Sequence, residues 1–275
     1  MIKIKNILIT GCSHDGIGYD TACLLREKGI EVYATCRAEA DCQKLRDEGF
    51  ISFMIDYTDE ASIESGFKQA LEHGNGRIDA LFNNGAYGMP ARVEDIPTQA
   101  LRDMFETNVF GWHHLTRLVL PIMRKQNFGY IIQNSSVLGL VALRDRGAYV
   151  SSKFALEGLS DTLRIELHNT NIHVVLIEPG PVESKFRINS YKMFDKYIKR
   201  EDCYDKDYYD RLAKNDTSAP LPFSLPARAV SNKILAIVSS NNPNPRYYVT
   251  LPTYLYGYLK RFVSTRILDH YLRKV

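Results

Sequence analysis

Between Asn134 and Glu157 the chain reads NSSVLGLVALRDRGAYVSSKFALE, and three side-chain types in it could move a proton together. Ser135 and Ser136 close an apolar run, Tyr149 follows thirteen residues after Ser136, and Lys153 comes four residues after Tyr149. If 148–168 is helical, the i,i+4 spacing puts phenol and ammonium on one face. A free tyrosine loses its proton at about pH 10, too high for acid–base work at neutral pH. A neighbouring ammonium favours the phenolate and lowers that value. A serine hydroxyl arriving from a strand end could hold a carbonyl or alcohol oxygen against the phenol. The same spacing also suits a buried tyrosine with a solvated lysine one turn on, so the rest of the chain has to decide.

A second set of residues suits phosphate. Residues 4–10 form a short apolar run ending at Gly11, and helical periodicity resumes after Gly18. Between them stands Gly11-Cys12-Ser13-His14-Asp15-Gly16-Ile17-Gly18. A strand, a glycine-rich turn and a helix N-terminus let the backbone approach a diphosphate, whose charge meets exposed N–H groups. Loops collect glycine, so the glycines alone say little; their place after the first strand points to a dinucleotide. The next strand, 31–36, ends in Cys36 and is followed by Arg37. NAD-binding sheets usually carry a carboxylate at this strand end to hold the adenosine ribose. Here a guanidinium can pair with a 2′-phosphate, which favours NADP(H); the plainer account of Arg37 is a solvated loop charge. Asp56, at another strand end, could accept from an adenine amino group or cap the turn into 58–61.

Positioning both sets takes alternating strands and helices. Residues 39–49 read as a helix, 51–56 as a strand, 60–73 as a helix, and 78–83 as a strand running into Asn84-Gly85-Ala86. A long helical stretch, 98–126, holds Asn108 near its centre; 130–134 is a strand, 148–168 a helix, and 173–178 a strand ending in Pro179-Gly180-Pro181. This alternation implies βαβ units and an α/β, doubly wound parallel sheet of about seven strands. Ligands of such sheets lie beyond the carboxyl ends of the strands, where 10–18, Arg37, Asp56, 83–86, Ser136 and 179–184 converge.

Residues 185–226 are rich in Tyr, Lys and Asp without a clean period, then turn proline-rich at Ala219-Pro220-Leu221-Pro222. A connection this long is usually a lid over a site. After a helix at 227–239 and a short strand at 246–250 comes the tail, 251–275. It spaces Tyr254, Leu255, Tyr258, Leu259, Phe262, Ile267, Leu268 and Tyr271 roughly helically and carries Lys260, Arg261, Arg266, Arg273 and Lys274. Such a stripe could lie on a membrane surface; more often one docks on its own domain or on a sister subunit. Nothing between 1 and 275 reads as a linker, so one domain is expected.

The 275 residues carry 35 Lys and Arg against 32 Asp and Glu, and a net charge of +3 decides nothing about an anionic partner. No block of like charge reads as a nucleic-acid tail. Cys12, Cys23, Cys36, Cys42 and Cys203 form no CxxC pair and no zinc spacing with histidine. They read as reduced small hydrophobes in a cytosolic protein, and no metal is expected. The opening MIKIKNILITG enters a strand directly, too briefly apolar for a signal peptide, and no segment has the length of a membrane span.

Together and in order, these residues resemble the short-chain dehydrogenase/reductase family over essentially the whole chain. The markers stand here as Thr10-Gly11…Gly16-Ile17-Gly18, Asn83-Asn84-Gly85-Ala86, Asn108, Ser136, Tyr149-x-x-x-Lys153 and Pro179-Gly180-Pro181-Val182. The resemblance implies a Rossmann-type fold and hydride transfer between NADP(H) and a carbonyl or alcohol. It implies Tyr149 as acid and base, Lys153 on the nicotinamide ribose, Ser136 on the substrate oxygen, and Asn108 ordering a water. Gly11, Ser13, His14, Gly16, Ile17, Gly18, Arg37, Asp56, Asn83, Gly85, Pro179 and Gly180 would line the cofactor alongside Tyr149 and Lys153. Val182 and Ser184 would contact its carboxamide.

Two departures carry expectations of their own. Four residues separate Gly11 from Gly16 where the family commonly has three, so the turn should bulge. Asp15 should then turn from the phosphate to cap the helix, leaving Ser13 or His14 for the 2′-phosphate. Gly85-Ala86 stands where Ala-Gly is usual, which should move the loop's φ demand by one position. The C-terminal half is similar to bacterial aldehyde reductases and steroid- or retinol-type members. The reading is a cytoplasmic NADP(H)-dependent reductase of an apolar aldehyde or ketone. It would be a homodimer or homotetramer paired through 98–126 and 148–168. The lid aromatics (Phe186, Tyr191, Phe194, Tyr197, Tyr204, Tyr208, Tyr209 and Phe223) suit an elongated substrate. The alternatives are a dinucleotide sensor without turnover and a peripheral membrane enzyme held through 251–275.

Overall fold

The computed structural model describes residues 4–213 and 221–273, so Ala219, Pro220 and Lys274 of the sequence argument lie outside the described residues. Strands β1 (Asn6–Ile9), β4 (Ala80–Asn83) and β5 (Gly129–Asn134) are buried at every position. A strand buried on both faces needs cover on both sides, which a parallel sheet with crossover helices supplies. With β2 (Glu31–Cys36), β3 (Ile51–Met54), β6 (Ile172–Glu178) and β7 (Arg246–Tyr248) they form one parallel sheet, ordered β3-β2-β1-β4-β5-β6-β7. Successive side chains point to opposite faces. Ile7 and Ile9 therefore join a core under α1 (Ile17–Glu27) and α9 (Ala227–Ser239), while Leu8 joins another with Trp112, Leu115 and Val119 of α5 (Gly111–Gln126). The strand order reverses between β1 and β4, and the crevice at their carboxyl ends is where such sheets bind ligands.

Helices α2 (Glu39–Asp47), α3 (Glu60–His73) and α6 (Gly147–Glu166) stand where the sequence pattern puts them. The 98–126 stretch is interrupted: α4 (Thr98–Phe105) passes through a π-helical turn at Glu106–Phe110 before α5. Single π-turns inside helices are frequent at functional sites, and Asn108 lies within this one, its amide bonded to Tyr87 and Ser152.

The lid is more ordered than its composition suggested. It contains α7 (Phe186–Tyr197) and α8 (Lys206–Ala213), joined through a 3₁₀ turn at Arg200–Asp202. Two of its tyrosines, Tyr197 and Tyr209, are tied down by long-range bonds to Asp103 and Asp95 that no local period reveals. Tyr209 is fully buried, stacks on Phe194 at 5.4 Å, and donates to Asp95 at 2.6 Å. Arg92 pairs with Asp205 at 2.7 Å.

The tail forms α10 (Leu251–Phe262) and α11 (Thr265–Leu272). Of the expected docking on its own domain or a sister subunit, part is made within the domain: α10 buries Thr253 and Gly257, the rings of Tyr254 and Tyr258 meet Tyr248 edge-on at 5.5 and 6.1 Å, and Leu272 is buried, while Leu251, Leu255 and Phe262 are exposed. Among the described residues no helix is long and apolar enough to cross a membrane.

Candidate active site

Ser136 leaves β5 in extended conformation and its hydroxyl accepts from Leu138 N at 3.1 Å, starting the 137–139 turn. That turn lies against α6, whose first two turns carry Tyr149 and Lys153. Both are buried, Tyr149 at 8% exposure and Lys153 at 1%. Lys153 Nζ donates to Asn134 O at 2.7 Å, 4.3 Å above the Trp112 ring and 5.5 Å from the Tyr149 ring. Trp112 is fixed in turn by its Nε1–H, which donates to Gly85 O at 2.8 Å. The sequence spacing thus becomes a buried hydroxyl, phenol and amine in one place.

The electrostatics differ from the expectation. Burial pushes the Tyr149 phenol up, and the bond to Ser136 pulls it back only in part. Burial pushes the Lys153 ammonium down to about 7, with Glu157 holding it up. Lowering of the phenol by Lys153 is therefore not a property of the polypeptide alone. Desolvation acts on both groups, and the ammonium is engaged by the Asn134 carbonyl rather than by the phenol.

Behind Lys153 lies a charge network that the sequence reading did not select. Glu157, one turn further along α6, accepts from Ser135 Oγ and from Arg246 of β7. Arg246 also reaches Glu178 at 2.7 Å and Asp161 at 2.6 Å. Glu178 is fully buried and pushed up to about 8, by burial first and then by Glu157, while Arg246 lowers it. This network fixes the strand ends carrying Ser136 and Pro179 against the helix that carries the phenol.

The glycine turn fits a dinucleotide diphosphate. Gly11 has φ +67°, and a Cβ on it would come 2.7 Å from Gly85 Cα. A Cβ on Gly18 would come 2.5 Å from Gly11 O. Gly16 starts α1 with no side-chain cap, which leaves the first N–H groups of the helix for an anion. Asn84 holds the turn from the side, donating to Thr10 O and Gly11 O at 2.9 and 3.1 Å and accepting from Asn134 Nδ2 at 2.8 Å.

These features agree with a family model described as short chain dehydrogenase, which matches residues 5–194. The chain belongs to the short chain dehydrogenase family. An uncharacterized oxidoreductase of Escherichia coli (strain K12), YbbO, is 35% identical over 269 residues, spanning 98% of this chain and 94% of its own. The 3-ketodihydrosphingosine reductase of Bacteroides thetaiotaomicron is 31% identical over 276 residues, spanning 97% of this chain and 96% of its own. Among solved structures, a short chain dehydrogenase/reductase from Burkholderia phymatum in complex with NAD superposes with a TM-score of 0.78 at 23% identity, covering 99% of this chain and 96% of that one.

The other family positions are placed unevenly. Asn108 is fully buried, and its amide is occupied by Tyr87 N (3.1 Å), Tyr87 O (2.9 Å) and Ser152 Oγ (3.1 Å). Asn83 turns inward: Oδ1 lies 2.7 Å from the Tyr57 hydroxyl, and Nδ2 donates to Thr116 and Gln133. Only its backbone remains for a cofactor. Asp56 accepts from Thr58 N at 2.9 Å and Thr58 Oγ1 at 2.8 Å, so it caps its own turn. Pro179 O accepts from Val137 N at 2.9 Å, Val182 bridges to Leu225, and Ser184 Oγ accepts from Phe186 N at 3.3 Å. Gly180 passes so close to Thr250 that a Cβ on it would lie 2.1 Å from the threonine hydroxyl. Neither Gly85 nor Ala86 has positive φ, so the expected shift of φ demand does not arise.

The bulge expected between Gly11 and Gly16 is absorbed at Asp15, with φ +62°. Asp15 does not cap α1; it pairs with Lys185 Nζ at 2.6 Å, tying the turn to the start of the lid. An open hollow of about 610 Å³ beside Ser13 and His14 is lined also by Lys44, Glu48, Lys185 and Asn189. Its basic side chains have partners: Lys44 pairs with Asp41, Lys185 with Asp15, and the His14 ring meets Glu48 at 2.5 Å. Arg37 and Ser13 are exposed, with no side-chain hydrogen bond or ion pair among the described residues.

Proposed function

We propose that this protein is an NADP(H)-dependent reductase that converts an apolar aldehyde or ketone to its alcohol, or runs the reverse. The observation that carries the reading is the buried Ser136, Tyr149 and Lys153 set, with ionisation values pushed by burial away from their ordinary ones. The dihydronicotinamide supplies the hydride when bound. Tyr149 gives its phenolic proton to the oxygen that becomes the alkoxide, and Ser136 holds that oxygen in place. The phenolate left behind is stabilised by the nearby Lys153 ammonium, which the new negative charge keeps protonated. Asn108 contributes through the backbone of its π-turn, because its amide is occupied by Tyr87 and Ser152.

Arg37 and Ser13 support NADP(H) over NAD(H). They stand at the end of β2 and in the glycine turn without competing partners, whereas His14 is taken by Glu48. The lid supports an apolar substrate: Phe186 meets the Tyr149 ring edge-on at 5.4 Å, and Met89 and Phe194 are buried with Tyr149 in one cluster. A relative covering nearly the whole chain is named for reducing a ketone, 3-ketodihydrosphingosine. Exposed Phe110, Phe154, Leu159 and Ile165 support a homodimer or homotetramer paired through 98–126 and 148–168. The test is NADPH oxidation against a panel of aldehydes and ketones, with Tyr149→Phe alongside. Turnover should fall by about 10²–10⁴-fold while NADPH binding persists; turnover that survives in the variant would sink the assignment.

A further inference from the structure

Helix α10 is mounted with its apolar stripe outward. Thr253 is fully buried against the domain, and a Cβ on Gly257 would come 2.7 Å from the Tyr248 ring. On the other side Leu251, Tyr254, Leu255, Tyr258 and Phe262 are exposed, Phe262 by 83%. Their i, i+3, i+4, i+7, i+11 spacing lines them along one face. In α11, Ile267 and Tyr271 are exposed by 48% and 58%. Residues 251–273 also carry Arg261, Arg266 and Arg273 against a single carboxylate, Asp269, while Lys260 turns to the domain side and sits over the Phe154 ring at 4.6 Å. A Leu, Tyr and Phe stripe with flanking cations is the composition of a helix that lies in a lipid headgroup region.

We propose that the α10–α11 face is a docking surface for an anionic lipid bilayer. A second copy of the chain fits the face badly. Two-fold pairing sets a patch against itself, which here brings two net-positive segments together. Anionic headgroups neutralise those same cations while the stripe enters the interface. Position adds to charge: α10 also packs against the 137–139 turn that follows Ser136. A bilayer on its outer face lies beside the rim of the catalytic crevice, where an apolar carbonyl dissolved in the membrane could be delivered. Delivery rests on the reductase reading; docking does not.

The test is flotation of the wild-type chain through a density gradient with vesicles of phosphatidylcholine alone or mixed with phosphatidylglycerol. The chain should float with the anionic vesicles and be released by high salt. Leu255→Ser combined with Phe262→Ser should weaken partitioning at least about tenfold. The emission of Phe262→Trp should move to the blue with anionic vesicles only. Failure to float with either vesicle, or flotation unchanged in the double variant, would overturn the proposal. So would a dimer, seen by light scattering, that Phe262→Asp splits, since the face would then belong to a second copy. NADPH oxidation on the same preparations separates the two readings. Turnover without flotation removes the docking alone, and flotation without turnover counts against the reductase alone.

Discussion

Replacing Lys153 with methionine tests whether burial governs the centre of the site. Lys153 is 1% exposed, and burial pushes its ammonium down to about 7 from the usual 10.5, Glu157 opposing. Because the folded value lies below the unfolded one, the folded protein holds this proton more weakly than the unfolded chain does. The resulting penalty on stability is fully present below pH 7, shrinks as pH rises from 7 to 10.5, and is absent above. At about 1.36 kcal/mol per pH unit, the gap between the two values is worth about 5 kcal/mol. Methionine removes the charge and its penalty at a similar length. The value of about 7 is the net result of burial and of the ammonium's contacts, so losing the bond to Asn134 O and the cation above Trp112 adds nothing further to the swing. Lys153→Met should therefore gain stability, relative to wild type, as pH falls, with a swing of about 4 kcal/mol between pH 10 and pH 6. Urea unfolding of the nucleotide-free protein, followed through Trp112 emission at several pH values, reads this directly. A stability difference that does not change with pH would refute the reasoning, because it would mean that Lys153 stays charged without penalty. Turnover should be lost in the same variant, so the residue trades stability for activity.

Three further outcomes follow from the geometry. Gly18→Ala places a Cβ 2.5 Å from Gly11 O, so it should weaken NADPH binding and cost about 1–3 kcal/mol of stability, measured by nucleotide fluorescence titration and thermal unfolding. Arg37→Glu should shift the ratio of NADPH to NADH efficiency by about 10- to 100-fold toward NADH, since a charged hydrogen bond to phosphate is worth about 1.5–3 kcal/mol; an unchanged ratio would return Arg37 to the solvent. Arg246→Leu leaves Glu157 and Glu178 buried without their cation and should destabilise by about 3–5 kcal/mol at pH 8. Glu178 already sits above its unfolded value, so stability falls as pH rises from 4.5 towards 8, and the loss should be smaller at pH 5. Equal losses at the two pH values would show that its carboxyl does not titrate there.

Local pattern was sufficient for much of this protein. Apolar runs flanked by helical periods give the parallel sheet and its ligand edge, because strand and helix periods are properties of consecutive residues. Glycines after the first strand, and a tyrosine four residues before a lysine, were legible for the same reason. Other features depend on contacts between distant residues. Arg246 lies 89 residues from Glu157, and only the pairing of β7 with β6 brings it to α6 to meet Glu157, itself one helical turn after Lys153. Asp15 could be expected to leave the phosphate, but its partner is Lys185 in the lid rather than the helix end. The lid helices were hidden because Tyr, Lys and Asp carry little hydrophobic period; Asp95, Arg92 and Phe194 hold Tyr209 from outside its helix. The stripe in the tail was visible as a stripe, but its direction was not. Which face of an amphipathic helix turns inward is decided by what the rest of the fold offers it, here the close approach of Tyr248 to Gly257. The sequence by itself determined the sheet, its ligand edge and the serine, tyrosine and lysine proposed as the reacting groups, because each is written in neighbouring residues. Only the tertiary structure decided their ionisation and the face left open, because burial and charge are set by residues that folding brings together.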